Sequence, residues 1–69
     1  MDMEWVEGYR IFIRTRENEV ILSANREGLL SLAEQLKTLA EGMPGDHFHY
    51  DEHNALETDS PELIIEKVK

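Results

Sequence analysis

The chain contains no cysteine, which rules out both a disulfide staple and a thiolate metal site. It also lacks any run approaching the roughly 20 apolar residues of a membrane span. Basic residues are scarce: seven Lys and Arg stand against fifteen Asp and Glu, a net charge of −8. That balance argues against binding a nucleic-acid backbone, which needs Lys and Arg to displace counterions, and against anionic membrane surfaces. There is no phosphate-cradling glycine-rich loop and no His-Glu-x-x-His helix. A histidine near carboxylates is expected from composition alone in so acidic a chain, so no enzyme activity and no cofactor are expected. The opening Met1-Asp2-Met3-Glu4-Trp5 has neither the basic nor the apolar region of a signal peptide. A soluble cytoplasmic protein follows as the expectation, built as a single domain over residues 1–69 with residues 1–8 as a mobile terminus. A domain this short buries only about 60% of its unfolded surface, so its core, or an oligomer, must do the stabilising.

What is present reads as alternating elements. Tyr9 to Arg14 sets Tyr9, Ile11 and Ile13 against Arg10, Phe12 and Arg14, the period of a strand. Val20 to Ala24 is a second β-prone run, and the pair predicts an antiparallel hairpin across Glu17-Asn18-Glu19, without the Asn-Gly or Asp-Gly that would name the turn. Asn25 suits a helix N-cap, with Glu27 near the positive dipole end. Leu29, Leu32, Ala33, Leu36, Leu39, Ala40 and Met43 recur at helical spacing, leaving Ser31, Glu34 and Gln35 on the other side. Leu36, central in that stripe, is expected to face the sheet. Gly42 suits the left-handed position after the helix, and Pro44 stops it. Asp46 to Tyr50 predicts a third strand, residues 51–61 a loop, and Glu62 to Val68 a fourth strand. The fold expected is α+β with order ββαββ: a four-stranded, mainly antiparallel sheet with one helix packed on one face. Its open face would carry Arg10, Phe12, Arg14, His47, His49 and Asp51, which is either an interface or an ordinary solvated surface. Trp5 is a lid over the sheet edge or an anchor for a partner, with the lid preferred.

The segment from Asp46 to Glu66 concentrates the chemistry. Its 21 residues hold seven carboxylates, three histidines and no Lys or Arg. In a strand, His47, His49 and Asp51 share one face and Phe48 and Tyr50 the other. An acidic ridge of this kind suits a basic protein partner, with Asp51, Glu52, His53, Glu57, Asp59, His47 and His49 as the candidate contacts. The plain reading is that the acidity only maintains solubility. A rival reading is a metal site of His47, His49 and Asp51, with His53 as a substitute ligand. Imidazole and carboxylate suit Zn, Ni, Cu or non-haem Fe, but ligands from one short stretch leave no support from a second element, and no tight metal binding is expected. A third reading is a small homodimer that associates through the open sheet face.

The sequence His47-Phe48-His49-Tyr50-Asp51, the turn Asn54-Ala55-Leu56, and Ser60-Pro61-Glu62-Leu63-Ile64-Ile65-Glu66-Lys67-Val68 resemble the C-terminal half of the immunity protein 32 family. The preceding strand, polar cap, Leu-rich helix and Gly also fit, so the resemblance spans about residues 9–68. It implies a small α+β protein associated with bacterial polymorphic toxin systems: a non-catalytic inhibitor that protects its own cell by occluding a toxin domain. A basic toxin would agree with the acidity of this chain. No toxin-contacting position of the family can be matched residue by residue.

Overall fold

The computed structural model describes residues 4–69. The order is β1 (Ile11–Arg16), β2 (Glu19–Ala24), α1 (Arg26–Ala40), β3 (His47–Tyr50) and β4 (Leu63–Glu66), an α+β chain. Instead of one four-stranded sheet there are two antiparallel ribbons, β1–β2 and β3–β4.

At β1 the hydrogen bonding shows why no further strand joins on that side. In the hairpin, Arg16 faces Glu19 across the two-residue turn Glu17-Asn18, and Ile13 faces Leu22. Asn25 N–H donates to Arg10 C=O at 3.1 Å, which continues this ladder. The backbone groups of Ile11 and Ile13 therefore point to the other edge of β1. That edge is taken by the 51–61 connection: Glu57 N–H donates to Ile11 C=O at 2.8 Å, and Ile13 N–H donates to Ser60 Oγ at 3.0 Å. Neither β3 nor β4 pairs there. The segment expected as a plain loop is anchored further by Leu56, which is buried in the core with Ile11, Ile13, Leu32, Leu39, Phe48 and Tyr50.

The helix begins as its sequence predicts. Asn25 is the N-cap, and its Oδ1 accepts from Gly28 N–H at 2.8 Å and from Arg10 N–H at 2.9 Å. Gly28 lets the first turn lie directly on β1, since a Cβ there would sit 2.6 Å from the Arg10 carbonyl oxygen. The inward face differs from the expectation. It consists of Gly28, Ser31, Leu32, Gln35 and Leu39, while Leu29 and Leu36 are exposed, Leu36 by 45%.

Ser31 and Gln35 face inward because the N-terminal segment needs polar partners. Val6 N–H donates to Ser31 Oγ at 2.8 Å, and Gln35 Nε2 donates to the Glu4 carbonyl at 2.8 Å. Of the terminus expected to be mobile, Glu4 to Gly8 are thus tied to the body of the protein, and Met1 to Met3 lie outside the described residues. Trp5 stacks on Tyr9 with centroids 4.3 Å apart and meets Tyr50 edge-on. Gly42 is not the left-handed residue expected after the helix. Positive φ falls at Gly45 (96°), and Lys67 Nζ satisfies the last carbonyls by donating to Ala40 and Gly42.

Candidate functional site

The β3–β4 ribbon presents the acidic segment. Its register sets His47 against Glu66, Phe48 against Ile65, His49 against Ile64 and Tyr50 against Leu63. Phe48 and Tyr50 are buried and His47 and His49 exposed, the sidedness that two-residue alternation predicts. On β4 the inner pair is Leu63 and Ile65, so Ile64 and Glu66 stand outside with the histidines. The outer face therefore has an exposed aliphatic centre, Ile64 at 56% exposure, among His47, His49, Glu62 and Glu66. Sequence reasoning missed Glu62, Ile64 and Glu66 as a set. Their period of two was visible, but the choice between Ile64 and its neighbours as the inner residues needed the register.

The loop acids have structural work as well as exposure. Asp51 Oδ1 accepts from His53 N–H at 2.9 Å and from Asn54 N–H at 3.0 Å, and the Asp51 carbonyl accepts from Ala55 and Leu56. Glu52 Oε2 accepts from Asp59 N–H at 2.9 Å, which holds the loop where Asp59 takes a φ of 72°. Glu57 Oε1 meets Arg10 Nε at 2.7 Å, and that hydrogen bond, then the carboxylate's charge, raise the guanidinium pKa above its ordinary value. Asp46 Oδ2 accepts from Met43 N–H. Among the described residues, one of the seven carboxylates of 46–66 has an Arg or Lys partner, Glu57 with Arg10, while Glu62 meets His49 Nε2 at 3.1 Å.

The trio His47, His49 and Asp51 does not assemble. His47 lies two residues nearer the start of β3, with Nδ1 at 3.3 Å from the Gly45 carbonyl. Glu62 replaces it: His49, Asp51 and Glu62 place one ligand atom each within 4.8 Å of one another. Asp51 already serves two backbone donors there, and His49 and Glu62 satisfy each other. Together the three groups could face a cation.

The single open face expected from the sequence is divided. Arg10 and Phe12 help to line an open groove of about 600 Å³ on the hairpin, together with Ser23, Ala24, Asn25, Glu57 and Thr58. The histidines belong to the other ribbon. Among the described residues, no helix is long and apolar enough to cross a membrane.

The family model for Immunity protein 32 matches residues 19–68, from the start of β2 to just beyond β4. The chain belongs to the immunity protein 32 family. The match takes in the whole acidic ribbon, the helix and β2, and leaves β1 outside. Comparison with curated proteins and with solved structures gives no match. Membership of an immunity family points to a binding role toward a protein toxin rather than to catalysis.

Proposed function

We propose that this chain neutralises a cognate bacterial toxin of a polymorphic toxin system by occluding it in the cytoplasm, and that the toxin presents a basic surface to residues 46–66. The supporting observation is the lack of internal compensation on this surface: it has seven carboxylates, no Lys or Arg of its own, and among the described residues one pairing with a permanently charged group, Glu57 with Arg10. A partner's Lys and Arg would supply the missing charge. Contacts would come from His47, His49, Asp51, Glu52, His53, Glu57 and Asp59, joined by Glu62 and Glu66. Ile64 would be the desolvated centre within a charged rim, an arrangement typical of protein interfaces. The role is non-enzymatic and needs no cofactor.

The test uses the toxin domain encoded beside this chain. Glu62→Lys with Glu66→Lys is the informative variant, because neither carboxylate holds a backbone group, whereas Asp51 and Glu52 do. Wild-type association should slow as salt rises. The double variant should associate about tenfold more slowly and lose most of that salt dependence. Unchanged rate and salt slope would move the interface off this ribbon, toward the groove at Phe12. Failure of the wild-type protein to bind or protect against the adjacent toxin would reject the immunity reading itself.

A further inference from the structure

β2 is built like an interior strand but is left at an edge. Its sequence Glu19-Val20-Ile21-Leu22-Ser23-Ala24 contains three consecutive aliphatic residues, yet none of its six residues is buried. Val20 is 70% exposed and Leu22 38%. The ladder to β1 uses the backbone of Glu19, Ile21 and Ser23, so the N–H and C=O groups of Val20, Leu22 and Ala24 point outward. Edge strands are ordinarily protected by Lys, Pro, a bulge or a covering element. β2 has no Lys or Pro, its register to β1 runs without a bulge, and its one charge is Glu19 at the end. The opposite edge of the hairpin, by contrast, is closed by Glu57 and Ser60.

We infer that the β2 edge pairs with β2 of a second copy of this chain, making a four-stranded antiparallel sheet β1-β2-β2-β1 across a two-fold axis. Charge selects this occupant. The hairpin from residue 11 to 24 holds two Arg and two Glu and is neutral, inside a chain of net charge −8. Two such chains repel least when they meet at their hairpins with the acidic ribbons apart. The strand is also self-complementary. Centred on Leu22, antiparallel pairing sets Leu22 against its counterpart, Val20 against Ala24, Ile21 against Ser23 and Glu19 against Asn25. Outward backbone groups meet outward groups, like charges are not opposed, and the exposed aliphatic residues become cross-strand neighbours. A basic strand from a toxin would gain nothing from so neutral an edge.

Sedimentation of the full chain over a range of concentrations tests this without any toxin. The wild type should show a reversible monomer–dimer equilibrium. Val20→Pro removes an outward N–H and no bond to β1, and Val20→Lys places a charge at the same exposed position. Each should keep its far-UV circular dichroism and weaken the dimer at least about tenfold. Val20→Lys also reduces the net negative charge, so repulsion alone would strengthen the dimer, and weakening identifies the edge. A wild type that stays monomeric to about 1 mM overturns the inference. So does a dimer that survives both variants, or one that is lost in Ile64→Lys but not in Val20→Lys. A monomer whose toxin binding is abolished by Val20→Pro would assign the edge to the toxin and overturn it equally. Since dimerisation is read on the protein alone, its failure leaves the immunity reading intact, and the reverse also holds.

Discussion

Among the described residues Tyr50 is the most completely enclosed side chain, at 0% exposure, and its hydroxyl donates to Gln35 Oε1 at 2.7 Å. Burial pushes its pKa up to about 12, from an ordinary value near 10. The folded protein therefore keeps a proton that the unfolded chain gives up. The associated stability is complete below pH about 10 and is lost as pH rises toward about 12, by roughly 2–3 kcal/mol in all. Urea midpoints taken across that range should fall, and the fall should be missing in Tyr50→Phe. At neutral pH that variant should be about 1–3 kcal/mol less stable, because Gln35 Oε1 loses its donor in the interior. A Tyr50→Phe protein with the same alkaline slope as wild type would assign the effect elsewhere. The burial of Tyr50 was readable from His-Phe-His-Tyr alternation. Its partner was not, because Gln35 on a helix reads as a solvent-facing residue until the N-terminal segment is seen to bond to it.

The helix shows how an element can be correctly placed and wrongly turned. Asn25 and the spacing of the leucines mark its start and its period, and both hold. The apolar stripe was expected to point inward as a whole, but only Leu32 and Leu39 of its leucines are buried. Leu32→Ala should cost about 2–5 kcal/mol, the range for truncating an enclosed leucine, and Leu36→Ala less than about 1. Equal losses in urea denaturation would show that the inward face is not the one described. The two ribbons make a similar point. The hairpin β1–β2 forms as the two β-prone runs suggest, whereas the sequence left the pairing of β3 and β4 open; Ser60 and Glu57 occupy the outer edge of β1, and neither β3 nor β4 joins the hairpin.

For the molecule as a whole, the uneven charge matters most. A net charge of −8 on 69 residues, seven of the carboxylates lying within 21, strains the folded state by self-repulsion. Salt shortens the screening length from about 8 Å near 0.15 M to about 3 Å at 1 M. The thermal midpoint should therefore rise with sodium chloride, and a gain of about 1 kcal/mol would appear as roughly 4–8 °C in a domain of this size. A midpoint that falls with salt would mean that ion pairs such as Arg10 with Glu57 outweigh the repulsion. The same scan at several protein concentrations also bears on self-association, since a dimer makes the midpoint depend on concentration.

By itself the sequence determined the order of the elements, the N-cap at Asn25, the sidedness of β3 and the acidity of residues 46–66, together with a family resemblance that the match over residues 19–68 establishes. These are local properties: side-chain period, cap chemistry and composition act within a few residues. The tertiary structure alone decided that Ser31 and Gln35 face inward, that Glu62 rather than His47 joins His49 and Asp51, and that the sheet divides in two. Each of those outcomes is a choice of hydrogen-bonding or packing partner between distant segments, as with Ile13 and Ser60, 47 residues apart. Several partners satisfy the same local pattern, and which one wins depends on what else in the fold must be buried or paired.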